Sequence, residues 1–141
     1  MNTEIAPFQS KDYYQSLAVR DKVLRQPLGL QFDPKQLEVE FSDVHLVAKQ
    51  GAQVVGTMIM SMADECAKMR QVAVLPEYQS LGIGTKMVAE FESEVQMRGA
   101  NRVVLHAREN AIKFYIKLGY SVVGDWFQEV GIPHKKMIKS L

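Results

Sequence analysis

Between Val72 and Thr85 the chain reads Val-Ala-Val-Leu-Pro-Glu-Tyr-Gln-Ser-Leu-Gly-Ile-Gly-Thr, and this stretch carries residue types suited to holding an anion. An apolar strand, Val72-Ala73-Val74, gives way to a proline-containing loop, then to two glycines that open an amphipathic helix. A helix N-terminus leaves N–H groups unpaired and carries a partial positive charge. Gly82 and Gly84 lack a Cβ, so a phosphate can approach the main chain closely. A phosphate or pyrophosphate is the expected ligand. A nucleotide P-loop needs Gly-Lys followed by Ser or Thr, whereas Gly84 precedes Thr85 and Lys86 in the opposite order. A dinucleotide fingerprint would need glycine where Met87 stands. On these residues alone, a glycine-rich turn with a purely structural role is the alternative.

The pattern Gln79-x-x-Gly82-x-Gly84 resembles the Gln/Arg-x-x-Gly-x-Gly/Ala signature of the GCN5-related N-acetyltransferases, the GNAT family. Further on, Ala111-x-x-Phe114-Tyr115-x-x-x-Gly119-Tyr120 resembles the family's second motif, in the same order, and the likeness runs from about Val44 to the end. The resemblance implies an α/β (α+β mixed) fold: a mostly antiparallel mixed sheet of about six or seven strands, splayed at the cofactor site and flanked by about four helices. It implies acetyl-CoA as acyl-donor cosubstrate, its pantetheine arm against Val72, Ala73 and Val74 in the gap between strands. Beside Gln79, the amides of Ser80, Leu81, Gly82, Ile83, Gly84 and Thr85 would hold the pyrophosphate. Tyr115 would be the general acid that protonates the departing thiolate, although periodicity alone reads Phe114, Tyr115 and Leu118 as a packing surface. The family often has Asn seven residues before the tyrosine. Here that position is Arg108, expected either to reach a cofactor phosphate or carbonyl or to pair with a surface acid.

The implied activity is transfer of acetyl to a primary amine of a small molecule or peptide by direct attack. A module that holds CoA or acyl-CoA without transferring it is the alternative. A free alkyl amine is mostly protonated near neutral pH, so a base is needed. The strand Arg102-Val103-Val104-Leu105-His106 has no carboxylate, which leaves His106, Glu129, His134 or a water as candidates. Histidine titrates in a useful range. Arg70 is expected to face the acceptor or support an ion pair, and Val23 to Leu30 is a candidate pocket wall. Cys66, the single cysteine, excludes an intrachain disulfide and a multi-thiolate zinc site, and no metal is expected.

The elements that must position these groups follow from hydrophobic period. An edge strand is expected near Ile5 to Phe8 and a helix from Lys11 to Arg25, ended by Pro27 and Gly29. Asp33-Pro34 begins a loop or short helix. Val44 to Lys49 and Gln53 to Met62 read as a hairpin, and Cys66 to Leu75 as a third strand. Thr85 to Arg98 is the clearest helix, with Met87, Val88, Phe91 and Val95 on one face and Gly99 as its cap. Arg102 to His106 is a strand and Ala111 to Leu118 a short helix. Two strands close the chain, Tyr120 to Glu129 and Lys135 to Ile138, separated by Gly131-Ile132-Pro133. Lys135, Lys136 and Lys139 are expected on a solvated face.

A length of 141 residues suggests a single domain, 1–141. A net charge of +1 offers no bulk field for nucleic acid or an acidic membrane. The opening residues lack signal-peptide character and no stretch approaches a membrane span, so a cytoplasmic protein is expected, without nucleic-acid or membrane partners. An exposed edge strand in the final hairpin would permit a homodimer.

Overall fold

The structure is a computed structural model describing residues 1–141. Seven strands form one mixed sheet: β1 (Asn2–Ile5), β2 (Val44–Gln50), β3 (Gln53–Ala63), β4 (Cys66–Val74), β5 (Arg102–Arg108), β6 (Ser121–Glu129) and β7 (Ile132–Ser140). Their spatial order is β1-β2-β3-β4-β5-β7-β6, antiparallel throughout except for the parallel pair β4–β5. The helices are α1 (Lys11–Arg20), α2 (Pro34–Val39), α3 (Ile83–Met97) and α4 (Ile112–Lys117). This is the mixed architecture expected from the sequence. No helix is long and apolar enough to cross a membrane.

Strand alternation divides the sheet into two faces. On one, Met58 and Met60 of β3, Met69 of β4, Leu105 of β5 and Met137 of β7 join a buried cluster with Met87, Val88, Phe91 and Val95 of α3. Met58 and Met60, alternating along β3, are therefore core, while Met62, two residues further on, is exposed. Helix α1 packs on β3 and β4, and Ser61 and Arg70 meet on the face opposite that cluster, where Arg70 also pairs with Asp43 at 3.3 Å. Arg70 is thus held in an ion pair. Behind α1, Arg20 and Glu40 form two parallel hydrogen bonds of 2.9 Å, both side chains almost fully buried.

Boundaries depart from the sequence reading at several places, among them α3, which begins at Ile83 rather than Thr85. The first strand ends at Ile5, because Pro7 has no N–H for a ladder and its carbonyl instead accepts from Ser10. Helix α1 stops at Arg20, and the chain continues as a five-residue π-helical turn, Asp21–Arg25, then a 3-10 turn to Leu28. That wider turn points Arg25 back toward β4, where its Nη2 lies 3.5 Å from Gln71 Oε1. Strand β5 runs two residues further than expected, to Arg108, because β7 pairs with it as far as His134.

The last hairpin turns on two residues, Val130 and Gly131, with φ of 48° and 78°, and Ile132 and Pro133 belong to β7. Glu129 and Ile132 close the tight turn, so the missing donor of Pro133 points away from β6. It lies one residue beyond the last β5 partner. Val130 is β-branched in a left-handed conformation that such residues resist. Val130→Asn is expected to raise stability by about 1 kcal/mol, about 2–4 °C in Tm. An unchanged or lower melting temperature would contradict the turn geometry.

A parted pair of strands and the side chains around it

Parallel pairing of β4 with β5 extends only from Cys66 opposite Arg102 to Met69 opposite Leu105. Yet β4 continues beside β3 to Val74, and β5 continues beside β7 to Arg108. The strands separate, leaving Arg70 to Val74 and His106 to Arg108 each without a strand partner on one side. A β-bulge accompanies the separation: Gln71 has φ of 54°, and the β3–β4 register shifts between Thr57 and Ile59. A bulge bends its strand and increases local twist. Val72, Ala73 and Val74 all lie on this separated segment. Cys66 sits at the closed end, about 25 Å along the strand from Val74 at the usual rise per residue.

Past Val74, the Leu75 N–H donates to the Val55 carbonyl at 2.9 Å, and a 3-10 turn covers Pro76–Tyr78. Gln79 donates through Nε2 to the Val74 carbonyl at 3.0 Å, tying the loop back to the strand end. Ser80 and Gly82 both have positive φ, 64° and 80°. No side chain caps α3, and its first internal hydrogen bond runs from the Lys86 N–H to the Gly82 carbonyl at 3.1 Å. The N–H groups of Ile83, Gly84 and Thr85 therefore have no partner within the helix. The two glycines serve different ends. A Cβ on Gly82 would meet nothing within 4 Å, so that position needs glycine for its backbone conformation. A Cβ on Gly84 would come within 3.2 Å of Phe114 Cζ, so there the need is space. An open cavity of 330 Å³ borders this loop, lined by Met1, Gln50, Tyr78 and Lys86 among others. An uncapped helix start beside an open cavity fits a diphosphate, and the unpaired edge of β4 fits an amide-containing chain.

Phe114 packs edge-on against Tyr115, which packs against Tyr120, with ring centroids 5.1 and 5.6 Å apart. Tyr115 is 6 % exposed, and burial holds its phenol well above the ordinary tyrosine value. Tyr120 is raised too, by burial and by its 2.8 Å hydrogen bond to Glu92. Lys139, expected in solvent, instead donates to Glu92 and to the Leu118 carbonyl at 3.0 and 2.8 Å, joining β7 to α3 and the end of α4.

On the opposite face, His106, Glu129 and His134 come together. His106 Nδ1 lies 3.0 Å from Glu129 Oε1, and His134 Nε2 lies 3.6 Å from Glu129 Oε2. Phe127 packs between the two imidazoles, edge-on to one and stacked on the other. No group of three His, Cys, Asp or Glu side chains is arranged to hold a metal ion. Arg108 shares this face and donates to the Leu24 carbonyl at 3.3 Å, away from the α3 N-terminus. Arg25, expected only as part of the candidate wall Val23 to Leu30, turns toward β4; its orientation depends on the π-helical turn, which has no clear signature in composition.

A cleft between two parallel strands thus opens onto an uncapped helix start. The acetyltransferase (GNAT) domain family matches residues 10–141, and the chain belongs to that family. It is an acetyl-CoA-dependent acyltransferase. A Bacillus subtilis protein, YjcF, described as an uncharacterized N-acetyltransferase, is 30% identical over 122 residues, covering 86% of this chain and 87% of that one. Escherichia coli ElaA superposes with a TM-score of 0.85 at 16% identity, over 99% of this chain and 100% of that one. An aminoglycoside 6'-N-acetyltransferase in complex with coenzyme A superposes with a TM-score of 0.81 at 18% identity, over 99% and 97%. At these identities the two structures share the fold.

Proposed function

We propose that the chain transfers acetyl from acetyl-CoA directly to a primary amine, with Tyr115 at the leaving sulfur and His106, oriented by Glu129, as the base. The observation that carries this reading is the separation of β4 from β5 beyond Met69 and Leu105, beside an uncapped α3. When bound, acetyl-CoA supplies an activated acyl carbon and a thiolate leaving group. The amides of Ser80 to Thr85 hold the diphosphate, while the free edge at Val72 to Val74 aligns the pantetheine arm. A main-chain N–H near Val74 steadies the negative charge that develops on the carbonyl oxygen.

With Nδ1–H donating to the Glu129 carboxylate, the other ring nitrogen of His106, Nε2, is the acceptor toward the attacking amine. Tyr115 acts differently. A phenol raised above its usual value does not fully surrender a proton to a thiolate whose parent thiol titrates near 8.5. It donates a hydrogen bond to the sulfur as charge builds, and solvent completes the protonation.

Release of free thiol from acetyl-CoA across a panel of amines tests the reading. Tight CoA binding with no release from any amine would favour a non-catalytic CoA-binding module. His106→Ala is expected to lower kcat about tenfold, less than full loss of acid–base catalysis because water can reach Glu129. An unchanged pH profile in that variant would remove His106 from the mechanism.

A further inference from the structure

Two guanidinium groups stand beside the separated strands without a carboxylate of their own. Arg25 Nε is buried and has no hydrogen-bond partner. Its only side-chain hydrogen bond is the long 3.5 Å approach to Gln71, and its Cζ lies over Phe32, 4.8 Å from the ring centre. Arg108 makes one hydrogen bond, to the Leu24 carbonyl, and no ion pair. A guanidinium carries five N–H donors, so most of theirs are unspent. Burial lowers the pKa of both; the charges of Arg20 and then Arg108 lower Arg25 further against Glu40 and Asp21, while Glu129 offsets part of the effect of burial on Arg108 without pairing with it.

The neighbouring acids are already engaged. Glu40 is taken by Arg20 through both oxygens, and Asp21 accepts from Gln26. Asp43 pairs with Arg70, and Glu129 lies between His106 and His134. Desolvated positive charge without a counterion is costly, and an anion delivered by a ligand would relieve it. The diphosphate is an unsuitable donor, because Arg108 turns toward Leu24 on the His106 face of the sheet. His106 and Arg108 are two residues apart on one side of β5, about 7 Å at normal strand rise. A small molecule with an amine at one end and an oxyanion at the other spans that distance.

We infer that the acceptor amine carries an oxyanion, a carboxylate or a phosphate, seated between Arg25 and Arg108. The inference rests on the acetyl-transfer reading for the amine, while the anion seat stands independently of it. Matched probes separate the chemistries: 4-aminobutyrate against butylamine for carboxylate, and phosphoethanolamine against ethanolamine for phosphate. In the wild-type protein, kcat/KM for one anionic probe is expected to exceed that for its neutral partner by about tenfold or more. Arg25→Gln and Arg108→Gln should each bring that ratio toward unity while leaving the dissociation constant for CoA as it was. Equal kcat/KM within both pairs, or a preference that survives both substitutions, overturns the proposal.

Calorimetry on CoA-saturated protein, titrated with butyrate and with inorganic phosphate, gives a second readout. Binding lost in both arginine variants supports the seat even if no amine releases thiol, in which case acetyl transfer fails and the anion seat remains. No heat with either anion, alongside absent turnover, overturns the seat as well.

Discussion

Replacing Tyr115 with phenylalanine is expected to lower kcat by roughly ten- to a hundredfold while leaving affinity for CoA unchanged. The magnitude follows from the role proposed for the hydroxyl. A hydrogen bond to a charged group is worth about 1.5–3 kcal/mol, and each ~1.4 kcal/mol is a factor of ten in rate. The ring itself is packed between Phe114 and Tyr120, so phenylalanine keeps the apolar contacts and removes only the donor. Single-turnover kinetics separate the outcomes. Unchanged turnover removes Tyr115 from the mechanism, whereas weakened CoA binding would mean the hydroxyl matters for the ground state. The same phenol leaves a stability signature. Its folded-state pKa is raised, so the native protein keeps a proton that the unfolded chain releases. Its contribution is complete below about pH 10 and declines above it, by up to about 1.4 kcal/mol per pH unit. Denaturant midpoints measured above pH 10 should fall more steeply in the wild-type protein than in Tyr115→Phe.

Glu40→Ala is expected to destabilise the protein by about 3–5 kcal/mol, a large part of the roughly 5–15 kcal/mol available to a domain. The cost lies in what the substitution leaves behind. Arg20 is fully buried, and both of its side-chain bonds go to Glu40, with Nε already lacking a partner. Removing the carboxylate strands a cation in the interior. Replacing both residues together, Arg20→Met with Glu40→Leu, removes charge and counterion at once and should recover most of the loss. Urea denaturation distinguishes the cases: equal losses in the single and double variants would mean that volume, not charge, governs the site.

The glycine pattern and the apolar stripe of α3 were legible in the sequence because both are local: a helix start and its packing face fall within about four turns of chain. The strand bearing Val72 to Val74 was legible for the same reason. What the linear order hid was pairing between distant segments. The point at which β4 leaves β5 depends on a bulge at Gln71 and on residues about thirty-six positions apart, which no window of sequence samples. His106, Glu129 and His134 were each recognisable as possible bases. Their convergence is set by the registers of β5 with β7 and of β7 with β6. Lys139 read as a solvated lysine because its partners, Glu92 and the Leu118 carbonyl, belong to other elements. Within the wall segment Val23 to Leu30, the inward direction of Arg25 was hidden by the change from α- to π-helical winding, a difference of one residue per hydrogen-bonded ring.

The contact between the missing Cβ of Gly84 and the ring of Phe114 links two tasks that a motif description keeps apart. Phe114 is the floor beneath the first turn of α3, and the very next residue presents the phenol. A bulkier residue at either place would therefore tilt the start of α3 and the Tyr115 ring together. Under the proposed mechanism, seating the nucleotide end and aligning the departing atom become a single mechanical act, shared by one pair of neighbours on one short helix.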